Sequence, residues 1–388
     1  MQDVMERANR GLGRLDGMTS IIPNPTLFLY MYVRKEAVLS SQIEGTQSSL
    51  SDLLLYENEE APGVPLKDVQ EVSNYVKAMR YGLKRLNDGF PLSLRLIREI
   101  HKILLKGGRG SDKRPGEFRR TQNWVGGTRP GNARYVPPPP HEVLPALGSL
   151  EKFLHGDPVR TPSLIKAGLV HAQFESIHPF LDGNGRLGRL LITFILCAEG
   201  ALSQPLLYLS LFFRERRQDY YEALQNVRTR GDWEGWLEFY LTGVEEVSRE
   251  ACESAKKLNM MFDRHRGQIQ RLGKAAASAV RVHDLLKERG ILSLSSAHKE
   301  LGLSFPTVTS AMRNLEKLGF VREFTGKARG RIFSYAPYLN ILTEADHPCD
   351  GAGATQRRVA ADAFRLPAGH AKAGRDRRGI QAADRCEF

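Results

Sequence analysis

The sequence predicts a mainly α-helical protein with one β-hairpin near its middle and a small C-terminal module of short helices and strands. Three observations carry that expectation. Before residue 273 most segments repeat apolar residues at spacings of three and four, the period of an amphipathic helix. In the middle, "FRRTQNWVGGTRPGNARYVPPPP" sets two β-like runs around Gly-Thr-Arg-Pro-Gly-Asn, and a proline run stops the second arm. After residue 275, three short helical runs closed by glycine precede two β-like arms around a basic tip, the order of a winged helix-turn-helix.

Taken in order, "LFLYMYVRKEAVLSSQIEG", "KDVQEVSNYVKAMRYGLKRLN" and "SLRLIREIHKILLKG" are amphipathic helices of an N-terminal helical region, residues 1–110. A core with the hairpin as a flap follows over residues 111–273. In it "TPSLIKAGLVHAQFESI" leads into a glycine-containing loop and "RLGRLLITFILCAEG" leads out. The core closes with two further helices, "LSLFFRERRQDYYEALQNVRTRG" and "DWEGWLEFYLTGVEEVSREACESAKKLNMMFDRHRGQI". The winged module is expected over residues 275–340. The remainder, 345–388, is rich in Ala, Gly, Arg and Asp without a periodic apolar face, which predicts disorder.

Composition narrows the class. The 388 residues are 41% hydrophobic and 26% charged, ordinary for a multidomain globular chain. The longest apolar runs, such as "LLITFILCA" from Leu190, are shorter than the ~18 to 20 residues of a membrane span, so no membrane partner is expected. "MQDVMERANRGLGR" has no apolar signal core, and a cytoplasmic location is the expectation. Cys197, Cys252, Cys349 and Cys386 form no CxxC pair, which argues against a zinc module or a disulfide framework. The net charge of +12 is informative where it concentrates, between Arg281 and Arg331 in the winged module.

One stretch resists explanation by packing. "HPFLDGNGRLGRLL", residues 178–191, places Gly183 and Gly185 where they weaken a helix, and Asp182, Arg186 and Arg189 where burial is costly. Consecutive backbone N–H groups in a glycine turn that opens a helix converge on an anion, so the stretch reads as a phosphate cradle. His178, held at the loop edge by Pro179, suits a general base with a pKa near neutrality. Asp182 is a hard oxygen ligand suited to magnesium carried on phosphates. Asn184 can add an amide donor, and Arg186 and Arg189, three apart, can reach one polyphosphate chain. His171, Glu175 and His178 suggest a metal cluster but lack the HExxH arrangement and a third imidazole or thiolate, so His171 reads as structural.

These residues match the signature HxFx(D/E)GNGRxxR of the Fic family at every specified position: His178, Phe180, Asp182, Gly183, Asn184, Gly185, Arg186 and Arg189. The chain resembles that family over most of residues 20–250, flap included. The resemblance implies transfer of AMP from ATP to a Ser, Thr or Tyr hydroxyl of a target protein or of the chain itself. It implies His178 as the base, Asp182 as the Mg²⁺ ligand, and Gly183, Asn184, Gly185 and Arg186 at the α- and β-phosphates. Arg189 would meet the γ-phosphate, Tyr220 the adenine side, and the flap would hold the target as an added strand. "SSQIEG" fits the family's inhibitory pattern (S/T)xxxE(G/N) through Ser40, Glu44 and Gly45, with Glu44 expected to pair with Arg189.

Two function classes follow. One is a self-inhibited protein adenylyltransferase; the other is a DNA-binding regulator whose Fic body binds nucleotide without transfer. The intact His178 favours the first. In the winged module, Thr307, Ser310, Arg313 and Asn314 with Lys327, Arg329 and Arg331 would face DNA, while the same module could equally dock a protein or pair two copies of the chain as a homodimer.

Overall fold

The computed structural model describes residues 1–21, 25–57, 64–323 and 330–344. Its scaffold is α11 (Trp233–Gln270), a 38-residue helix against which the first described helix and the helices after residue 275 pack. Along one side lies α1 (Gln2–Ile21), burying Val4, Ala8, Leu12 and Leu15 at spacings of four, four and three. Gly11 permits the approach, since a Cβ there would stand 3.3 Å from Ser248 Cβ of α11. Asp232 caps α11 through the Gly235 N–H (3.0 Å), and Trp236 anchors its first turns by donating from Nε1 to the Gly168 carbonyl (2.9 Å).

The helices that flank residues 178–189 sit in the middle of this body. After α2 (Pro25–Ile43) and α3 (Leu50–Glu57) come α4 (Leu66–Asn87) and α5 (Leu94–Leu104), an antiparallel pair packed under α8 (Asn184–Ala198). Gly82 of α4 leaves the space that the Phe194 ring of α8 fills. Helix α6 (Pro140–Leu154) covers α7 (Ser163–Ile177), and α7 packs along α8. The expected single helix after residue 208 is two: α9 (Ser210–Glu215) and α10 (Arg217–Arg230) meet at Arg216, where φ −109° and ψ 43° leave the helical region. Helices α1, α3, α6 and α15 have no counterpart among the runs that the sequence marks as helical.

The flap is less regular than a hairpin of two strands. One bridge, Val125 to Tyr135, spans a 3-10 turn at Pro130–Asn132. Gly126 and Gly127, both at φ 69°, end the first arm at once, and prolines 137–140 cannot donate to extend the second. Asn132 ties the tip by accepting from the N–H of Thr128 (3.0 Å) and of Arg129 (2.9 Å).

Beyond a 3-10 turn at Gly273–Ala275 come α12 (Ala276–Arg289), β1 (Ile291–Ser293), α13 (Leu294–Leu301), α14 (Phe305–Lys317), β2 (Arg322–Glu323), β3 (Ile332–Ser334) and α15 (Ala336–Glu344). The strands form an antiparallel sheet in the order β1-β3-β2, with Ile291 opposite Ser334 and Arg322 opposite Ser334 on the other side. Ser293 and Ser304 cap α13 and α14. Lys327, Arg329 and the tail 345–388 lie outside the described residues, as do Cys349 and Cys386. Among the described residues no helix is long and apolar enough to cross a membrane.

Candidate active site

Helix α7 ends at Ile177, and His178 takes the left-handed conformation (φ 48°, ψ 59°) that usually falls to glycine. The surroundings fix it there. Arg119 donates from Nε to the His178 carbonyl (3.0 Å), and Asn123 donates from Nδ2 to the same carbonyl (3.2 Å) and to that of Phe180 (2.9 Å). Phe180 is fully buried and stacks on the His101 ring at 3.7 Å. Nδ1 of His101 accepts from the Gly116 N–H (2.8 Å), so Nε2 carries the proton and donates to the Asp182 carbonyl (2.9 Å). Burial pushes the His101 pKa down to about 4, which keeps this ring neutral.

The loop then turns into α8 through Gly183 at φ 78°. Asn184 closes it from inside: Oδ1 accepts from the Phe180 N–H (2.9 Å) and Nδ2 donates to the Phe180 carbonyl (2.8 Å). The amide donor expected of the Asn184 side chain is therefore committed to the loop, and the Gly183 N–H is taken by Asp182 Oδ1 (2.5 Å), so an anion cradle falls to the N–H groups of the first turn of α8, which have no intrahelical partner. Asp182 keeps a carboxylate 30% exposed at the loop's edge.

The two arginines leave α8 toward different helices. Arg186, buried, pairs with the buried Glu71 of α4 at 2.5 Å and approaches Asp182 at 3.4 Å, while its Nε has no hydrogen-bond partner among the described residues. Arg109 donates to the same Glu71 oxygen (3.1 Å) and to the Glu44 carbonyl (3.2 Å). Arg189, also buried, is enclosed by the end of α2: Nε donates to Ser40 Oγ (2.8 Å), and one Nη donates to the Ser40 carbonyl (3.0 Å) and to Glu44 Oε1 (2.7 Å). Gly45, at φ 94°, ends α2 so that Glu44 can turn inward. Its carboxylate lies on the first turn of α8, where any side chain on Gly185 would collide with it. Burial opposes the charge on both partners. The ion pair prevails, lowering the Glu44 pKa and raising that of Arg189.

The structure thus brings Ser40, Glu44, Gly185, Arg186 and Arg189 together and keeps His178 at the neighbouring loop edge. Two further expectations need correction. His178 is not near neutrality: burial, with Arg228 adding to it, pushes its pKa down to about 4. Tyr220 does not border open space, because α10 turns its ring onto Phe213 (4.5 Å) and its hydroxyl onto His171 Nε2 (2.9 Å); Tyr221 beside it is the half-buried one. Sequence reasoning missed Glu71, Arg109, His101 and Asn123, whose partners lie tens of residues away and leave no spacing signal.

Known proteins resemble this chain in sequence and in fold. The description "Fic/DOC family N-terminal" matches residues 2–84 and "Fic/DOC family" matches residues 91–196. Among curated relatives, the "Protein adenylyltransferase Fic" of Culex quinquefasciatus is 31% identical over 214 residues and that of Aedes aegypti 30% over 209, in each case 53% of this chain and 39% of the relative. The match thus spans about two fifths of the relatives' length. A Fic family protein from Desulfovibrio desulfuricans G20 superposes with a TM-score of 0.54 at 20% identity, over 86% of this chain and 95% of that one. A Fic domain containing signaling protein from Bacteroides thetaiotaomicron gives 0.52 at 21%, over 66% and 97%. The two family descriptions cover the helices that build the loop, the cradle and its carboxylate, and the chain belongs to the Fic family.

Proposed function

We propose that this chain transfers AMP from ATP to a hydroxyl side chain of a protein, and that Glu44 holds the reaction back. The observation that carries this reading is the Glu44 carboxylate seated on the first turn of α8 and bonded to Arg189, an anion in a site built for anions. The relatives' name, protein adenylyltransferase, supports the reaction class.

In the reaction, the N–H groups opening α8 and the Arg186 guanidinium, whose Nε lacks a partner, would bind the phosphates. Once Glu44 swings out, Arg189 is free for the γ-phosphate. The unprotonated His178 takes the proton of the target hydroxyl, its oxygen bonds to the α-phosphorus, and the bond to the bridging oxygen breaks to release pyrophosphate. With a pKa near 4 the ring is fully available as a base at neutral pH, though a weaker one than an unperturbed imidazole. Among the described residues no three His, Cys, Asp or Glu groups cluster as a metal cage. The single, partly exposed Asp182 carboxylate fits Mg²⁺ that arrives with the nucleotide, and such an ion would neutralise phosphate charge.

A DNA-binding role for the C-terminal module rests on α14, where Ser310 and Arg313 are exposed and Thr307 and Asn314 half-buried, and on the exposed Arg331. The deciding experiment uses ATP labelled on the α- or the γ-phosphate. Covalent incorporation of the α label alone, greater in Glu44→Ala than in wild type and absent in Glu44→Ala/His178→Ala, is the expected result. Nucleotide binding with no incorporation in any of these proteins would favour a regulator that senses nucleotide through its Fic body.

A further inference from the structure

The face of α7 that ends in His178 also carries Glu175 and His171, and no step above uses either. Glu175 is 6% exposed, yet its Oε1 has no hydrogen-bond partner among the described residues. Its Oε2 lies 3.8 Å from Nδ1 of His178, which itself makes no well-aligned hydrogen bond. A buried, unpaired carboxyl oxygen is costly, on the order of 1–3 kcal/mol or more, so packing alone is a poor reason to keep one. The fold also makes room for it. Gly188 of α8 faces the carboxyl, and a Cβ there would stand 2.8 Å from Oε1.

The surroundings hold both groups in place. Arg228 of α10 donates to the Glu175 carbonyl at 3.0 Å, and its guanidinium lies 4.2 Å from the centroid of Tyr135, whose hydroxyl donates to the Ser176 carbonyl (2.8 Å). His171 is tied off on Tyr220 and does not compete for the carboxylate. On the other side, Arg119 and Asn123 pin the His178 backbone. What remains free is a small rotation of two side chains, enough to close 3.8 Å to a hydrogen bond, as happens when catalytic contacts tighten on substrate binding.

We propose that Glu175 is a positioning residue for the base: its carboxylate accepts the Nδ1 proton of His178, leaves Nε2 as the proton acceptor, and stabilises the imidazolium formed as the target hydroxyl is deprotonated. This rests on the reading of His178 as the base. The charged groups that face Glu175 are His178 on α7, Arg189 on α8, Arg228 on α10 and Glu44 after α2. Burial outweighs both arginines and raises the Glu175 pKa to about 7. The carboxylate form therefore grows as pH rises through neutrality, and transfer grows with it; acid removes the partner of Nδ1.

The test measures AMP transfer from α-labelled ATP by the full chain carrying Glu44→Ala, from about pH 5.5 to 8.5, with and without Glu175→Gln. Glu175→Gln keeps the side chain's shape but not its charge. The expected result is a fall in kcat of about 10- to 100-fold with KM for ATP unchanged, and loss of the acid limb near neutrality. Independently of turnover, the Nδ1 proton resonance of His178, read by NMR at about pH 8 where Glu175 is a carboxylate and the ring neutral, should move upfield in Glu175→Gln, because a neutral amide oxygen replaces a charged acceptor. Wild-type kcat and pH profile in Glu175→Gln, or an unmoved Nδ1 proton resonance, would overturn the proposal while leaving the base intact. Transfer by His178→Ala as fast as its parent would remove both.

Discussion

A methyl group on Gly185 would stand where the Glu44 carboxylate now lies, beside the Arg189 guanidinium. This overlap separates two substitutions that both unseat Glu44. In Glu44→Ala the first turn of α8 is left open, and a correctly aligned triphosphate should raise transfer on the order of 100-fold over wild type. In Gly185→Ala the end of a flexible glutamate moves aside cheaply, yet the new methyl covers the N–H groups a phosphate needs. That variant should show neither stabilisation by ATP in thermal melts nor transfer, even when combined with Glu44→Ala. Gly185→Ala/Glu44→Ala as active as Glu44→Ala would place the phosphates elsewhere. Asn184 gives a third case. Its side chain pairs with both backbone groups of Phe180, and Asn123 also serves the carbonyl, so Asn184→Ala orphans one buried N–H. A loss of about 1–3 kcal/mol, read as a lower Tm and denaturant midpoint, is expected.

At the scale of elements, α1 shows how a helix can be invisible in its own sequence. It contains Gly11, Gly13 and Gly17, each unfavourable by about 1 kcal/mol relative to alanine, and it forms because Leu12 and its neighbours are buried on α11. The two kinds of position respond oppositely. Leu12→Ala should cost about 2–5 kcal/mol of stability. Gly13→Ala, exposed with nothing within 4 Å of the added Cβ, should gain about 0.5–1 kcal/mol; both are measured by urea unfolding. The readable helices differ in just this respect: in α4, Val69, Val72, Val76 and Met79 keep an unbroken apolar period, so local pattern and tertiary burial agree. The flap is shorter than its sequence signals, because Gly126, Gly127 and the prolines, which mark a hairpin's turn and end, also shorten its arms to one bridge. Within the site, the groupings 178–189 and 40–45 are legible in the sequence, since those residues are neighbours in the chain. Glu71, 115 positions from Arg186, is a partner that only folding reveals.

Across the whole molecule, α2 joins the site to the C-terminal module. Its last turn carries Ser40 and ends beside Glu44 on Arg189; nearer its start, Lys35 donates from a buried Nζ to the Leu342 carbonyl of α15 (2.7 Å). At the same end Met31 reaches Gly290, where a Cβ would stand 3.3 Å from its methyl. The module is itself joined to α11 by the Tyr335 hydroxyl, which bonds His265 Nδ1 (2.7 Å) and His283 Nε2 (2.8 Å). Burial lowers the pKa of these rings to about 4 and about 3. Both bind fewer protons folded than unfolded, so stability should fall as pH drops from about 6.5 toward 4, visible as a declining Tm. Because one rigid helix touches both the module and the Arg189 clasp, loosening its module end should weaken the clasp. Lys35→Met keeps the stem and removes the bond to the α15 carbonyl, a charged hydrogen bond of about 1.5–3 kcal/mol. Transfer from α-labelled ATP should then rise a few-fold over wild type, on the order of the share of that energy felt at Glu44. In the Glu44→Ala background the same substitution should have no effect on rate, since the clasp is already open. A rise that persists without Glu44 would mean that Lys35 acts on the catalytic body directly, and no rise in either background would mean that the catalytic body alone sets the position of α2.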